Sequence, residues 1–376
     1  SRSRSYSPIT CQNPACHFFL IEDGKDLVKN GRNCAGNLQY FCKHCQKYFV
    51  ETKNTPLYNS HLDRNEVEVI CKHSMEKTSI RGVARVTGHH QGTVIRYYRL
   101  IGEHAEVLSE LFHQSLSPGR VELDELWTFV PKKTNTVTDE GPEFGDWWTY
   151  LALKSDTGFI IASVGGKRTE ATCTQFLDLV FERLPLPEPS APIAVATDGN
   201  AQYRDGLAKV YCEPCIDYGC VVKQRKENRL VGVSREIIWG NPLPEAISTS
   251  IVEGFNNKIR QRISRFGRKT ASFTKKITAY IGALNMFQFM SNFIDAKKST
   301  TSAMREGVTD HVWTWGEFLN YSIQFKLEHY PLSSLSPCYW SHPNTLPIMM
   351  KYADILTPEE TGTNLGRSST KNYARI

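Results

Sequence analysis

The stretch VELDELWTFV, from Val121 to Val130, is the strongest indication of the fold, because it predicts a β-strand that carries three acids. Apolar and β-branched residues surround Glu122, Asp124 and Glu125. An ionised carboxylate inside a sheet is costly unless it binds something, so these acids indicate a site. Glu122 has the same strand parity as Asp124, whereas Glu125 points to the opposite face, and we interpret both as secondary to Asp124.

The segments that follow alternate between strand and helix patterns. WWTYLALKS and GFIIASVGG predict two further antiparallel strands, and Glu170 to Leu184 predicts a helix. PIAVATDGN is a short apolar strand, typical of a buried one, and it ends at Asp198. A helix, a strand and a final helix then complete an α/β fold with a ribonuclease-H-like mixed sheet. Its first and fourth strands are neighbours, so Asp124 and Asp198 can face each other.

The final helix is predicted within a basic stretch, IVEGFNNKIRQRISRFGRKTASFTKK, from Ile251 to Lys276. Its apolar residues follow helical spacing: Val252, Phe255, Ile259, Ile263 and Phe266. On such a helix Glu253, the only acid of the stretch, shares a face with Asn257, Arg260 and Ser264. The basic side chains suited to a polyanion are Lys258, Arg260, Arg262, Arg265, Arg268 and Lys269. The alternative is a solvated basic surface helix.

A helix packed across the first and fourth strands can bring Glu253 to Asp124 and Asp198. Three carboxylates can hold two hard divalent cations, Mg²⁺ or Mn²⁺, about 3.5–4 Å apart. Such a pair activates a water molecule or a 3′-hydroxyl and stabilises the leaving oxygen. Oxygen ligands favour magnesium, whereas imidazole or thiolate ligands would indicate zinc. The alternative is that these acids stand in their strands by chance.

Two cysteine pairs near the start of the sequence predict one structural Zn²⁺. Cys11 and Cys16 form CQNPAC, and Cys42 and Cys45 form CKHC. Four thiolates in two close pairs satisfy tetrahedral zinc and leave no open position for catalysis. Competing ligands are His17, Cys34 and His44, and the alternative is a set of unliganded buried cysteines.

The stretch SIRGVARVTGHHQGTVIRYYRLI fits a helix-turn-helix in which Gly88 supplies the turn. The side chains expected on the inner faces are Ile80, Val83, Ala84, Val94, Ile95 and Tyr98. The outward side chains suited to base edges and phosphates in a major groove are Gln91, Thr93, Arg96 and Arg99. A further short helix is expected from Glu103 to Gln114. The alternative is an ordinary helical hairpin.

The sequence of 376 residues, with formal net charge +6, is long enough for several domains. The expected divisions are a flexible N-terminus (1–10), a zinc ribbon (11–55), a helix-turn-helix domain (56–116), a ribonuclease-H-like domain (117–295) and a C-terminal extension with a flexible tail (296–376). No apolar run approaches the roughly 20 residues that span a bilayer, and the first ten residues lack the apolar core of a signal peptide. We therefore expect no membrane partner.

The sequence resembles the DDE transposases of the insertion-sequence-one family from Cys11 to about Asn292. The motifs that carry the resemblance are KNG…G.LQYFCKHC, the helix-turn-helix, LDELW, ATDGNAQYRDGL, VVKQRK and STSIVEGFNNKIRQRISRFGRKTASFTKK. The resemblance implies that Asp124, Asp198 and Glu253 bind metal and that Arg260 contacts a DNA phosphate. Gly254 departs from the pattern, because relatives carry Arg there.

The activity that the resemblance implies is DNA transposition. Such an enzyme binds the terminal inverted repeats as double-stranded DNA, cleaves the 3′ ends and joins them to target DNA. A homodimer or higher homo-oligomer on DNA and a cytoplasmic, nucleoid-associated location in a prokaryote are expected with it. The alternatives are a non-catalytic DNA-binding regulator and a structure-selective nuclease of the same fold.

Overall fold

The computed structural model describes residues 9–323, apart from 14, 20, 22–25, 35, 114–115, 131–144, 186, 212 and 228. The first eight residues, most of the predicted polar loop after Val130, and the predicted tail beyond residue 323 therefore lie outside the described residues. The chain divides into two compact units, one of Ser1–Asn54 with Ser322–Ile376 and one of Thr55–Tyr321.

The described part of the first unit is built on a three-stranded antiparallel sheet. Its strands are β1 (Leu27–Arg32), β2 (Leu38–Cys42) and β3 (Lys47–Val50), with β2 in the centre. Tyr40 and Phe49 are cross-strand partners whose rings stack 5.8 Å apart. The turn from β2 to β3 has Gln46 in the left-handed region at φ 55, and it lies between Cys42 and the following strand.

The second unit begins with three helices, α1 (Arg64–Ser74), α2 (Ile80–Thr87) and α3 (Gln91–Phe112). Gly88 ends α2 at φ 75, as the predicted turn requires. Val83 and Val94 are buried, but Ile95, which was expected inside, is 46% exposed and Tyr97 is buried instead. The predicted break before residue 103 is wrong, because α3 continues through Gly102 to Phe112.

A six-stranded mixed sheet forms the rest of the second unit's framework. Its strands are β4 (Val121–Val130), β5 (Gly145–Lys154), β6 (Ile160–Gly166), β7 (Ile193–Asp198), β8 (Ile216–Lys226) and β9 (Arg229–Trp239). The spatial order is β6-β5-β4-β7-β8-β9. The predicted neighbours β4 and β7 pair in parallel, which confirms that expectation. The edge strand β9, antiparallel to β8, was not predicted.

Helices lie against both faces of this sheet. The helices that follow β6 in the sequence are α4 (Glu170–Arg183), α5 (Ala201–Val210), α6 (Ser250–Arg262), α7 (Ile277–Phe289), α8 (Ser302–Arg305) and α9 (Trp315–Asn320), of which α9 packs against α1. Along β5, Tyr150 contacts Tyr203 of α5, whereas the adjacent Thr149 bonds to Tyr280 of α7, so the two helices cover opposite faces. Within the part of the chain that the structure describes, every helix is too short or too polar to span a bilayer.

The helix α6 is shorter than its sequence pattern predicts. It ends at Arg262, because Ile263 has an extended backbone and a short 3₁₀ turn follows. This turn buries Phe266, whose ring stacks 4.9 Å from that of Tyr280. The apolar spacing of Ile263 and Phe266 therefore reflects burial in a turn and not continuation of the helix.

Residues 296–321 belong to the second unit, past the boundary expected at 295. Lys154 Nζ lies 2.6 Å from Glu306 Oε1, and only 2% and 0% of the two side chains are exposed. Ser117 Oγ donates to the same carboxylate, at 2.7 Å. A buried ion pair with further hydrogen bonds is costly to break, so it ties α8 to the sheet and to the segment before β4.

Two glycines allow α3 and α7 to touch. A Cβ added at Gly102 would lie 2.5 Å from the Cα of Gly282, which is closer than the two atoms can approach without a shift of the backbone.

Gly102→Ala should therefore lower the free energy of unfolding by about 1–3 kcal/mol through overpacking. Gly254→Ala is the matched control, because Gly254 lies in α6 with nothing within 4 Å of an added Cβ. It should stabilise by about 0.5–1 kcal/mol. Urea unfolding measures both, and equal effects would contradict the close approach.

Candidate metal centres

Asp124 and Asp198 meet at one end of the β4–β7 pair. One oxygen each of Asp124, Glu125 and Asp198 lie within 4.8 Å of one another. Asp198 is the last residue of β7, and its Oδ1 accepts the backbone N–H of Asn200 at 3.1 Å. Asp124 Oδ1 accepts the N–H of Glu125 at 2.8 Å. The strand pairing thus brings two acids, 74 positions apart in sequence, to one place.

Glu125 joins this cluster although its strand parity is opposite to that of Asp124. Its Oε1 accepts from Asn200 Nδ2 at 2.6 Å, and its Oε2 pairs with Arg168 Nη2 at 3.2 Å. Arg168 also lies 4.7 Å from the centre of the Trp148 ring. The parity argument was right about the face, since Asn200 and Arg168 approach from the side of α4 and α5. It missed that a glutamate just past the last β4–β7 pair has a side chain long enough to reach the cluster.

Crowding of buried acids changes their protonation. Burial, with the neighbouring Asp198 carboxylate, raises the pKa of Asp124 to about 7. Burial and Asp198 also raise the pKa of Glu125. Carboxylates that share a site in this way are destabilising to the fold unless protons or cations offset their charge. Near neutral pH, binding of a cation to the cluster would therefore displace protons from these carboxyl groups.

The helix α6 is attached to β4 by Glu122 and Asn256. Glu122 is fully buried, and its Oε2 accepts the N–H groups of Ile251 and Val252, each at 2.9 Å. Thr249, the residue before α6, makes no side-chain cap of its own, so a glutamate from the sheet satisfies the helix N-terminus. One turn later, Asn256 Nδ2 donates to Asp124 Oδ2 at 2.8 Å.

Glu253 lies on the same helix, one turn before Asn256, and its charge contributes to the raised pKa of Asp124. Its Oε1 accepts from Lys223 Nζ at 2.5 Å and from Thr249 Oγ1 at 2.7 Å. Glu253 is thus near the cluster without being one of the three acids within 4.8 Å. The exposed fractions of the Lys223 and Glu253 side chains, 32% and 38%, leave this edge of the site open to solvent.

The acidic cluster has the donor set of a hard divalent cation. Oxygens bound to one Mg²⁺ are at most about 4.2 Å apart, since each bond is about 2.1 Å long. Oxygens within 4.8 Å of one another need only a small adjustment to bind one ion or two. The three acids could therefore hold metal, and Glu253 could be added to them by turning from Lys223.

The basic residues of the α6 segment have different environments. Arg260 is half-buried and donates to the carbonyl oxygen of Trp127 in β4 at 3.3 Å. Burial, with the nearby charge of Arg268, lowers its pKa. Arg268 and Lys269 are exposed.

Two more of these bases form ion pairs, and one lies inside the protein. Lys258 pairs with Asp295 at 2.9 Å, and Arg262 pairs with Glu76 at 2.6 Å. Arg265 differs from the prediction, because it is only 7% exposed and donates to the carbonyl of Ala279 at 2.6 Å. Its guanidinium also lies 5.4 Å from the ring centre of Tyr98. Because the Arg265 side chain is buried and its guanidinium already donates to a backbone carbonyl, it is not available to bind a phosphate.

Three of the four expected base-contacting side chains are exposed on α3, namely Gln91, Arg96 and Arg99, and Thr93 is half-buried. Arg99 pairs with Glu103 one turn later at 3.4 Å, an exposed contact that contributes little to stability. The exposed surface of α3 thus presents amide and guanidinium donors.

The four predicted cysteines form a second cluster, in the first unit. Their sulfurs lie within 4.8 Å of one another. Cys11 Sγ and Cys45 Sγ are 3.7 Å apart, and Cys16 Sγ and Cys42 Sγ are 3.8 Å apart. Sulfurs bound tetrahedrally at about 2.3 Å from zinc are about 3.8 Å apart, so the cluster could hold a zinc ion. His44 Nδ1, a competing ligand, lies 3.4 Å from Cys16 Sγ.

Comparison with known proteins does not identify a family for this chain. No protein-family model matches the chain, and no curated protein matches it. One solved structure similar to it is titled "Cryo-EM structure of piggyBac transposase synaptic complex with hairpin DNA (SNHP)". The two are 11% identical over 82% of this chain and 78% of that one, with a TM-score of 0.32. A likeness this slight carries no argument about function.

Removing one acid should stabilise the metal-free protein. The pKa of Asp124 is about 7 in the fold and 3.8 unperturbed, so its ionisation destabilises the fold as pH rises through that interval. We expect Asp124→Asn to raise the free energy of unfolding at pH 8 by at most about 4 kcal/mol. It should also abolish the rise in melting temperature on adding Mn²⁺.

Asp178→Asn is the control for this measurement, because Asp178 is partly buried but lies outside the cluster. It should keep the Mn²⁺ response, and in the unsubstituted protein that response should weaken from pH 8 to pH 6 as Asp124 binds a proton. A Mn²⁺ response retained by Asp124→Asn would contradict a metal site at these acids.

The cysteine cluster gives a separate test. Cys42→Ser should reduce bound zinc from about one ion per chain to none, because four thiolates are needed to close the tetrahedron. Cys34→Ser is the matched control, since Cys34 is exposed and is not part of the cluster. Elemental analysis of freshly purified proteins measures both, and full zinc content in Cys42→Ser would exclude this site.

Proposed function

We propose that the protein is a DDE-type DNA transposase of the insertion-sequence-one family. It binds terminal inverted repeats, cleaves the 3′ ends in a metal-dependent reaction and transfers them to target DNA. The observation that carries this proposal is the meeting of Asp124 and Asp198 on adjacent parallel strands, with α6 bringing Glu253 beside them. The sequence resemblance independently implies the same three acids.

The proposed fold of this domain is ribonuclease-H-like. Its support is the order of the first five strands of the sheet, with three antiparallel strands at one side and two further strands parallel to β4. Helices on both faces agree with that assignment. The strand β9 is an addition to the pattern that the sequence predicted.

The roles of the catalytic residues follow from the charges around them. Asp124 and Asp198, with Glu253, would bind two Mg²⁺ or Mn²⁺ ions. Bound cations would supply charge stabilisation to the phosphate and activate the attacking water or 3′-hydroxyl. Asn256 holds Asp124 in place, and Lys223 holds Glu253. Arg260, which donates to the carbonyl oxygen of Trp127 in β4, would bind the phosphate nearest the cut with its planar guanidinium.

The proposed DNA partners bind at other parts of the chain. The zinc ribbon, with Cys11, Cys16, Cys42 and Cys45 on one Zn²⁺, and the helix-turn-helix would recognise the inverted repeats. Gln91, Thr93, Arg96 and Arg99 would approach bases and phosphates. Lys258, Arg262, Arg268 and Lys269 would contact the backbone. Like other enzymes that join two DNA ends, the protein would act as a homodimer or higher homo-oligomer, in the cytoplasm at the nucleoid of a prokaryote.

Catalysis and binding should separate on substitution. Duplexes selected from a random pool for binding, with Mg²⁺ or Mn²⁺, provide the substrates for cleavage and strand-transfer assays. Glu253→Gln should abolish both reactions while leaving affinity for DNA within about threefold, since a ligand of the metal is lost and not a DNA contact. Arg260→Ala should reduce single-turnover cleavage at saturating DNA by about 10–100-fold. Lys297→Ala, an exposed change, is the control.

The alternative functions give distinct results in the same assay. DNA binding without cleavage by the unsubstituted protein would favour a non-catalytic regulator. Hydrolysis without joining would favour a structure-selective nuclease of the same fold. Cleavage that survives Glu253→Gln would contradict the assignment of the third acid.

A further inference from the structure

We propose that the hairpin of β8 and β9 binds the backbone of the DNA duplex next to the acidic cluster. This proposal rests on the proposed function, because it names a second DNA-binding surface of the same site. The hairpin was not identified from the sequence and has none of the roles assigned above except that of Lys223. Its position, its charge and its exposed side chains each point to a polyanion.

The first argument is position. The last β7–β8 pair is Asp198 with Val221, and β8 continues beyond it to Lys226. Past this pair, in the part of the chain that the structure describes, β8 is paired with β9 alone. The hairpin therefore projects as a two-stranded ribbon from the edge at which Asp198 lies. Lys223, at its base, donates to Glu253, so DNA that reaches the acids passes beside the ribbon.

The second argument is charge. Lys223, Lys226 and Arg229 are all exposed. Lys226 and Arg229 are direct cross-strand partners, an arrangement in which like charges repel and destabilise the ribbon. The only acid in the sequence from Lys223 to Arg235 is Glu227. A bound polyanion would remove this repulsion. The free ribbon would be more stable without two like charges opposite each other, so stability does not explain why this pair is present.

The third argument is shape. A two-stranded ribbon is one of the elements that the major groove admits. Val231 and Val233 are 62% and 48% exposed on the same ribbon, where apolar groups of this size can contact the sugars of the backbone. A second copy of the chain is a poorer occupant, because an interface through this end of the ribbon would bring the positive charges of Lys226 and Arg229 from two copies together.

The test is the salt dependence of binding by the full chain to a duplex of random sequence. Lys226→Gln with Arg229→Gln should lower the slope of log affinity against log salt by about two units, one for each phosphate contact. Affinity at moderate salt should fall on the order of tenfold. Lys226→Arg with Arg229→Lys, which keeps both charges, should retain the original slope.

A matched control removes two charges elsewhere. Lys297 and Lys298 are exposed neighbours in a turn, and Lys298 has φ 52, which asparagine tolerates. Lys297→Gln with Lys298→Asn should leave the slope unchanged. An unchanged slope in the hairpin variant, or an equal fall in the control, would overturn the proposal. So would a changed oligomeric mass with an unchanged slope, which would assign the ribbon to a second copy.

The outcome also separates this proposal from the proposed function. If the hairpin variant keeps its slope while the unsubstituted protein cleaves and joins DNA, only the hairpin assignment fails. If the unsubstituted protein binds no duplex at any salt concentration, the transposase proposal fails and the hairpin assignment fails with it.

Discussion

The contact between Glu122 and the first turn of α6 fixes the relation of the helix to the sheet. Glu122 is a buried acid whose carboxylate accepts two N–H groups of the helix N-terminus, and burial raises its pKa although those donors oppose the shift. Two residues further along β4, Asp124 lies on the same face and reaches Asn256. One strand thus supplies both the anchor of the helix and an acid of the cluster, so the helix cannot shift without changing the site.

A consequence of this arrangement is that the cluster is unfavourable for folding by itself. Asp124, Glu125 and Asp198 are held together by strand pairing, although burial and their mutual repulsion raise the pKa of the first two. Neutral and cationic neighbours, Asn200 and Arg168, offset part of that cost at Glu125. The remaining charge can be offset by protons or by divalent cations. The repulsion that lowers the stability of the metal-free fold also increases the affinity of the cluster for a cation.

The basic residues show how one sequence pattern contains several physical roles. Arg265 is buried against Tyr98, Arg262 and Lys258 pair with acids, and Arg268 and Lys269 are exposed. The sequence cannot distinguish these roles. An arginine that donates to a buried carbonyl and an arginine that is exposed to solvent, where it could bind a phosphate, can have the same pattern of neighbouring residues. The end of α6 at Arg262 is what turns Arg265 inward.

Features that depend on local periodicity and spacing could be predicted from the amino-acid sequence. They are the strand β4, the Gly88 turn, the two cysteine pairs, and the adjacency of Asp124 and Asp198 through the expected strand order. Other features depend on contacts between segments that are distant in sequence, and these became visible only in the folded chain. Packing places Asn256 against Asp124, whereas the sequence indicated only that Asn257 shares a face with Glu253; residues three and four apart are equal neighbours on a helix until packing orients it. Glu125 joined the cluster and β9 paired with β8. Neither the length of a side chain in a given direction nor the pairing of two strands produces a periodic pattern in the local sequence, so neither could be predicted from it.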